Sequence, residues 1–301
     1  MAKGTRFAGI ELGGTKAIAV LAKGNAIVDR TVIPTTDSDA TLSALRAQLD
    51  EWDCLEPIDA VGIASFGPVQ LDPQQPAFGH ILATPKPGWT GAAVAPTLTD
   101  GLACPWRIDT DVNGAALAEY RWGAGAQCDS LCYITIGTGV GGGLLLESRP
   151  VHGAMHPEIG HLRLRRLPGD AFAGTCPFHG DCIEGLVSGP ALAGRFGQDI
   201  REVADAHPIW RNVAADLAEL CGTILLTTSA QRILFGGSVA MSRAFLLPWA
   251  LALVVERLGS YLPFLRDNGA DGIIVPAGLG VEAGPLGAIA LAQAALARTD
   301  A

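Results

Sequence analysis

The sequence predicts an α/β protein built from two related halves. Two segments, Arg6–Ala22 and Leu131–Glu147, share one arrangement, in which two apolar strands flank a glycine-rich turn that contains a threonine. A third glycine pair, Gly236-Gly237, follows a predicted strand and precedes a helical stretch. Two such hairpins in one chain indicate an internal duplication, in which each half presents one glycine turn.

The elements of the first half follow from apolar runs and the residues that interrupt them. A helix at Ser38–Trp52 places Leu42, Leu45 and Leu49 on one face, with Asp37 or Ser38 as its N-cap. The proline-rich stretch at residues 72–89 is predicted to be a loop. Strands are predicted at Arg6–Leu12, Ala17–Ala22, Asn25–Ile33, Ala60–Ala64 and Trp106–Asp109, and a helix opens at Thr110-Asp111-Val112-Asn113.

The second half is predicted in the same way. Its glycine-rich turn extends from Gly137 to Gly143. Strands are predicted at Leu131–Ile136, Leu144–Glu147 and Gln231–Phe235, and helices at Ala191–Phe196, Trp210–Thr228, Phe245–Ser260 and Val281–Arg298.

Composition narrows the class of protein. The 301 residues are 49% hydrophobic and carry a net charge of −9, which indicates a globular protein with ample core and argues against a nucleic-acid partner. The longest apolar run, Ala244–Val255, is broken by Pro248, so we expect no membrane span. The N-terminal residues lack a signal-peptide core, and the seven cysteines are an odd number, which together favour a cytoplasmic protein with reduced thiols.

Both glycine turns have the chemistry of phosphate sites. Gly13-Gly14-Thr15-Lys16 and Thr138-Gly139 expose backbone N–H groups and a threonine hydroxyl, which suit phosphate oxygens. The first turn is not a Walker loop, because the Gly-Lys-Ser/Thr ending is missing, and taken alone it could be a plain hairpin. The strand–glycine–helix junction at Gly236 and Gly237 is in the right place to accept a flat ring such as adenine.

Asp111 lies where a strand ends and a helix begins. A carboxylate in this position commonly caps the helix N-terminus. It is also well placed to act as a general base. The sequence leaves both interpretations open.

A third candidate site is a cluster of cysteine and histidine. Cys176, His179 and Cys182 follow one another at three-residue steps, and His161 is the nearest candidate for a fourth ligand. Four Cys and His ligands are typical of a structural zinc site. Buried thiols beside a surface histidine are the alternative. A metal here would hold Glu158 and Glu184 in place on either side of the cluster.

Together these residues resemble the ROK family of sugar kinases, repressors and open-reading-frame proteins over essentially the whole chain. Motifs of unrelated kinds occur in the family's order: Glu11–Lys16 and Thr135–Gly143 for phosphate, Thr110–Asn113 for catalysis, His156–His161 and Cys176–Glu184 for sugar and zinc, and Leu234–Gly237 for adenosine. Within the family the chain is most similar to the short bacterial fructokinases. The reasons are the Cys-x-x-His-x-x-Cys loop, glutamate at position 11, and the segments Gly67-Pro68-Val69 and Pro85–Trp89.

The resemblance implies an actin-like (ribonuclease H-like) ATPase fold with two α/β domains around a cleft. Residues 1–115 with the C-terminal helix 284–301 would form the N-terminal domain, and residues 116–283 the C-terminal domain with the zinc loop. A homodimer is also implied. The implied roles are Asp111 as general base; Gly67, Pro68, Asn113, Glu158, His161 and Glu184 for the sugar; Gly13, Gly14, Thr15, Lys16, Thr138, Gly139, Gly236 and Gly237 for the nucleotide; and His161, Cys176, His179 and Cys182 for zinc.

The expected activity is transfer of the γ-phosphoryl group of ATP to a hexose, most simply the 6-hydroxyl of D-fructose. Mg²⁺ would arrive with ATP, and Zn²⁺ would be structural. His161 could bind zinc through one ring nitrogen and a sugar hydroxyl through the other. Removal of zinc is then expected to weaken sugar binding and to leave the nucleotide turns intact.

Three alternatives remain at this point. The first is a ROK kinase for glucose, mannose or N-acetylmannosamine, which no single residue excludes. The second is a sugar-responsive repressor, which the early first strand and the negative charge argue against. The third is a sugar-binding protein without catalysis, which would be expected to have lost Asp111 or a glycine turn.

Overall fold

The structure is a computed structural model that describes residues 4–266 and 270–299. The strands and helices of the first half are β1 (Arg6–Leu12), β2 (Lys16–Lys23), β3 (Ala26–Pro34), α1 (Ser38–Leu55), β4 (Ala60–Ser65), α2 (Val94–Thr99), β5 (Trp106–Thr110) and α3 (Asp111–Trp122). Those of the second half are β6 (Leu131–Ile136), β7 (Val140–Leu146), β8 (Arg149–Pro150), α4 (Ile183–Val187), α5 (Gly189–Phe196), α6 (Trp210–Thr228), β9 (Arg232–Gly236), α7 (Ser238–Ser242), α8 (Leu246–Leu258), β10 (Ile274–Pro276) and α9 (Ala283–Thr299).

The chain forms two compact units. Of the described residues, the first unit comprises 4–121, 150–156 and 281–299, and the second comprises 122–149, 157–266 and 270–280. The predicted boundary at residue 115 falls inside α3, whereas the division lies near the end of that helix. Helix α3 packs as one element, so the end of the helix is a more natural domain boundary than a residue in its middle. Residues 300 and 301 of the predicted C-terminal helix lie outside the described residues.

The first unit is built on a five-stranded sheet in the order β3-β2-β1-β4-β5. β1 pairs with β2 in antiparallel and with β4 in parallel orientation. Helix α1 begins at the predicted N-cap Asp37, whose side chain accepts a hydrogen bond from the Ala40 amide, and it buries the predicted Leu42, Leu45 and Leu49. Burial of each leucine stabilises the fold by about 1.5–3 kcal/mol.

Helix α9 packs against the strands β1, β4 and β5 of this sheet. A Cβ atom on Gly62 would lie 1.9 Å from the Ala288 carbonyl oxygen, so glycine in β4 allows the helix backbone to approach closely. Gly287 and Gly114 provide the same close approach between α9 and α3. Because α3 begins at Asp111, the fixed crossing of α3 and α9 positions the helix end that carries this carboxylate.

Helix α9 is also apolar enough to be compared with a membrane span. The segment Gly280–Ala297 has a mean hydropathy of 1.3, and half of it is buried within the protein. Its central residues, from Ala288 to Ala292, are fully buried against the sheet. Core packing therefore accounts for its apolar composition.

The second unit has a sheet in the order β10-β9-β6-β7-β8. Read from the opposite edge, this is the order of the first sheet, because β6, β7, β8, β9 and β10 take the places of β1, β2, β3, β4 and β5. The orientations also agree, since β6 pairs with β7 in antiparallel and with β9 in parallel orientation. The two sheets thus share the topology that the predicted duplication requires.

The second glycine turn is shorter than the sequence predicts. Strand β7 begins at Val140, not at Leu144, so Gly141, Gly142 and Gly143 belong to the strand. A Cβ on Gly142 would lie 2.8 Å from the Cβ of Ile159, so this glycine provides room for a packed side chain. Helix α2 and strand β10 were not predicted, because both are short and lie between loops.

Candidate functional site

The predicted site residues fall into two groups, one in each unit. The first group surrounds the beginning of α3. The Thr110 hydroxyl accepts a hydrogen bond from the Asn113 amide at 3.1 Å, so Thr110 is the residue that caps this helix. The open alternative for Asp111 is therefore settled against capping, and its carboxylate accepts a hydrogen bond from the adjacent Val112 amide, at 2.9 Å.

The carboxylate of Asp111 has an unusual proton affinity. Desolvation by the surrounding protein, followed by the negative charge of Glu11, raises its pKa to about 7. The pKa of Glu11 is also raised to about 7, chiefly by desolvation, although the charge of Lys16 opposes that shift. Near neutral pH, Asp111 can therefore both accept and return a proton, which is the requirement for a general base.

Glu11 lies against the beginning of α9. A Cβ on Gly284 would be 2.1 Å from a carboxylate oxygen of Glu11, so glycine leaves the space that the glutamate occupies. The absence of a side chain at Gly284 therefore accommodates the carboxylate of Glu11.

The first glycine turn is fixed by side chains from two other segments. Thr35 donates its hydroxyl to the Gly13 carbonyl at 2.8 Å, and its amide donates to the Thr15 carbonyl at 3.0 Å. Lys86, from the proline-rich loop, donates to the Gly14 carbonyl at 2.7 Å. Gly14, Thr15 and Lys16 themselves remain exposed, so the turn is rigidly held and still accessible.

The second glycine turn is held in place by residues next to the cysteine and histidine cluster. The carboxylate of Glu184 accepts a hydrogen bond from the Val140 amide at 3.1 Å. A Cβ on Gly139 would lie 2.7 Å from the same carboxylate, and a Cβ on Gly160 would lie 1.8 Å from the Val140 carbonyl oxygen. The exposed Thr138 lies between these anchoring points.

The predicted metal ligands come together. Donor atoms of His161, Cys176, His179 and Cys182 all lie within 4.8 Å of one another. The Nδ1 atom of His161 is 3.8 Å from Cys176 Sγ and 3.6 Å from Cys182 Sγ. With Zn–S of about 2.3 Å and Zn–N of about 2.0 Å, a tetrahedral ion would hold sulfur and nitrogen donors about 3.5 Å apart. The donor set therefore fits zinc in both identity and spacing.

The cluster is supported by charged neighbours. Asp181, between two of the ligands, forms ion pairs with Arg163 and Arg166. Arg166 also pairs with Asp170, which in turn pairs with the buried Arg195. These contacts fix the loop to α5, and α4 begins immediately after Cys182 with Glu184 in its first turn. A metal at this cluster would thus determine where Glu184 is placed.

The predicted sugar-binding residues occupy different surroundings. Gly67 packs against His156, since a Cβ there would lie 3.2 Å from the imidazole, and the Pro68 carbonyl accepts from the Leu82 amide at 2.7 Å. Asn113 is buried and donates to Asp109 at 2.7 Å. Glu158 is exposed at the start of the short 3-10 turn that carries His161.

Gly236 and Gly237 have structural reasons to be glycine. A Cβ on Gly236 would lie 2.2 Å from the Tyr133 hydroxyl, and Gly237 adopts φ of 86° with the Ile136 carbonyl where its Cβ would be. These contacts fix the turn between β9 and α7.

Sequence reasoning assigned no individual role to several residues of this region, two of which, His156 and Lys86, lie in segments that it had singled out. Asp109 is fully buried and lies 3.1 Å from His152, while His156 accepts from the Val69 amide at 3.2 Å. One signal was available: three of the six histidines, including His161, fall within the ten residues 152–161. Lys86 gave no such signal, because a single lysine in a loop is ordinarily a solvated surface residue.

The comparisons with known proteins agree with this architecture. The ROK family model matches residues 7–295, and the chain belongs to this family. The ROK hexokinase from Thermus thermophilus superposes with a TM-score of 0.77 at 25% identity, with 99% of this chain and 100% of that chain covered. The fold is accordingly the actin-like ATPase fold of two α/β units, as the sequence predicted.

Particular relatives narrow the class further. The fructokinase of Zymomonas mobilis is 40% identical over 296 residues, which cover 95% of this chain and 96% of the relative. The fructokinase of Pediococcus pentosaceus is 38% identical over 289 residues, which cover 95% and 97%.

Proposed function

We propose that this protein is an ATP-dependent fructokinase, which transfers the γ-phosphoryl group of Mg-ATP to D-fructose and yields fructose 6-phosphate. The observation that carries the proposal is the similarity to fructokinases at 38–40% identity along nearly the whole chain. The raised pKa of Asp111, at a helix end that another residue caps, agrees with the reaction type.

In this reaction Asp111 accepts the proton of the attacking sugar hydroxyl. Because phosphoryl transfer depends chiefly on positioning and on neutralising charge, the remaining residues mainly bind and orient. Gly13, Gly14, Thr15 and Lys16 of the first glycine turn, and Thr138 and Gly139 of the second, would donate to phosphate oxygens. Magnesium would enter with ATP and offset the charge of its phosphates.

The sugar would be bound by Gly67, Pro68, Asn113, Glu158, His161 and Glu184. His161 directs Nδ1 toward the two thiols, which leaves Nε2 for a sugar hydroxyl. Zinc held by His161, Cys176, His179 and Cys182 would supply a structural scaffold and no chemical step. A cytoplasmic homodimer belongs to the same proposal.

A panel of sugars tests the substrate directly. Zinc-loaded protein with Mg-ATP should release ADP fastest with fructose and more slowly with glucose, mannose and N-acetylmannosamine, and phosphorus NMR should identify fructose 6-phosphate. A clear preference for another hexose would support the kinase activity but would show that fructose is not the preferred substrate. No turnover with any sugar, in folded and zinc-loaded protein, would contradict the proposal.

A further inference from the structure

Asp109 and His152 form a directly contacting pair, in which only Asp109 is fully buried, and the proposed reaction does not use it. Asp109 lies in β5, two residues before Asp111, and is fully buried. Its Oδ1 accepts from the Thr110 amide at 2.8 Å and from the Asn113 side chain at 2.7 Å. Both of its carboxylate oxygens lie 3.1 Å from His152 Nε2. The pair therefore adjoins the helix end that carries the proposed base.

His152 reaches this position from a distant part of the chain. It is 43 residues beyond Asp109, in a segment, 150–156, that packs with the first unit although the residues on both sides belong to the second. The other end of the segment is held by His156, which contacts Val69 and Gly67. Two histidines thus fix this short segment beside residues already assigned to base and sugar.

The orientation of the His152 ring follows from its contacts. Within the described residues, its polar contacts all fall on Nε2. An ionised carboxylate only accepts hydrogen bonds, so Nε2 carries a proton, and Nδ1 of the neutral ring is then an acceptor. The side chain is 34% exposed, whereas its carboxylate partner is fully buried. The exposed part of the ring therefore lies away from Asp109.

We infer that His152 is a further sugar-binding residue, which accepts a hydrogen bond from a hydroxyl of the acceptor sugar through Nδ1, with Asp109 as the positioning residue that fixes its tautomer. The inference rests on the proposed sugar kinase function and extends it by one contact. If His152 served only to neutralise the buried carboxylate of Asp109, partial exposure of its ring would contribute nothing to that role. A ring held at one nitrogen and open at the other has the geometry of an oriented acceptor.

Two substitutions separate these roles. In His152→Gln, the side-chain amide can still donate to Asp109, but the acceptor at the Nδ1 position is lost. We expect the Kd for fructose to rise about 10-fold or more, because a sugar hydroxyl is left without its partner. The Kd for a nonhydrolysable ATP analogue and the melting temperature should stay unchanged. His80→Gln is the matched control, since His80 is a partly exposed histidine in a loop of the same unit.

Deoxy sugars then locate the hydroxyl. With wild-type protein, the monodeoxy fructose that lacks the contacted hydroxyl should bind about 10-fold more weakly than fructose, whereas His152→Gln should bind the two equally. His152→Gln that binds fructose like the wild type would overturn the inference and leave the fructokinase proposal standing. Parallel losses of melting temperature and of ATP-analogue affinity would show that His152 supports structure only. Wild-type protein that binds no hexose would contradict both proposals.

Discussion

Neighbouring residues determine both the raised pKa of Asp111 and the fact that it does not cap its helix. Thr110 caps the helix, and the neighbouring protein removes water from the carboxylate, while Glu11 adds a like charge. The first factor means that the Asp111 carboxylate is not the helix cap, and the others raise its pKa to about 7. A base with this pKa is half ionised at neutral pH and can receive a proton without a large free-energy cost.

The activity should therefore depend on pH through this group. As the pH falls below about 7, Asp111 becomes protonated, and kcat/KM for the sugar should fall in proportion, with a plateau at higher pH. Glu11→Gln removes the neighbouring negative charge and so lowers the pKa of Asp111, and the fall in kcat/KM should therefore occur at lower pH. A pH–rate profile from pH 5 to 9 measures both. A wild-type profile that stays flat down to pH 5.5 would contradict the assignment.

The same shift predicts a cost in stability. The pKa of Asp111 is raised in the folded protein above its usual value of 3.8, so the folded state loses stability as the pH rises from about 4 through about 7. At pH 8, Asp111→Asn should therefore have a higher free energy of unfolding than the wild type, by on the order of 1–3 kcal/mol. Its melting temperature should be correspondingly higher. The difference should vanish near pH 4.

A matched control is available in the first turn of α1. Asp39 is exposed there, and Asp39→Asn should be neutral or slightly destabilising, because a negative charge near a helix N-terminus is favourable. Thermal melts of the three proteins at pH 8 and pH 4 decide the matter. Equal stability of Asp111→Asn and wild type at pH 8 would show that the carboxylate is not destabilised by burial.

Gly139 and Gly14 should respond differently to alanine. The added methyl group of Gly139→Ala would lie 2.7 Å from the Glu184 carboxylate, so that side chain must move and lose its hydrogen bond from the Val140 amide, at a cost of about 0.5–1.5 kcal/mol. Nothing lies within 4 Å of a Cβ on Gly14. Chemical denaturation should show a loss of stability in Gly139→Ala and none in Gly14→Ala. Equal losses would mean that the contact with Glu184 is unimportant.

At the scale of elements, helix α4 joins the candidate metal-binding cluster to the second glycine turn. It begins directly after Cys182, and its Glu184 accepts from the Val140 amide. Gly160, adjacent to the ligand His161, packs against the same residue of the turn. The structure therefore argues against the expectation that zinc removal leaves the nucleotide turns intact.

Zinc removal should weaken nucleotide binding as well as sugar binding. After chelation, we expect the Kd for a nonhydrolysable ATP analogue to rise about 10-fold or more, because the turn proposed to hold its phosphates loses two anchoring points. AMP, which lacks the outer phosphates, should lose less affinity and serves as the control. Titration calorimetry with metal-loaded and metal-depleted protein measures both. If the metal is gone and only sugar affinity has fallen, the two sites are independent.

Most elements could be predicted from periodicity, and the exceptions have physical reasons. The Leu42, Leu45 and Leu49 stripe and the Asp37 cap identified α1, because both signals are local. Gly141–Gly143 were predicted as part of a turn but belong to strand β7. The sequence does not reveal that Ile159 packs in the space left by Gly142. The proximity of the four candidate metal ligands could be predicted since three of them lie within seven residues. Asp109 and His152 were missed since only the fold brings them together.

At the scale of the whole molecule, the chain uses one sheet topology twice for two different purposes. The order of strands is the same in both units, and each presents a glycine turn between its two antiparallel strands. The first unit adds the candidate base at the end of β5, and the second adds the candidate metal-binding cluster after β8. The two units thus share one sheet topology but carry different sets of side chains. A kinase, which binds two different substrates, requires such a difference.

Turnover by Asp111→Ala tests the central claim most directly. With saturating Mg-ATP and fructose, the wild type should release ADP, while the substitution should lower kcat by about 10²–10⁴-fold and leave the Kd values for fructose and an ATP analogue nearly unchanged. That result would establish a fructose kinase in which Asp111 acts as the base. Turnover of Asp111→Ala within a few-fold of the wild type would contradict the account, because the fold would then catalyse the reaction without this carboxylate.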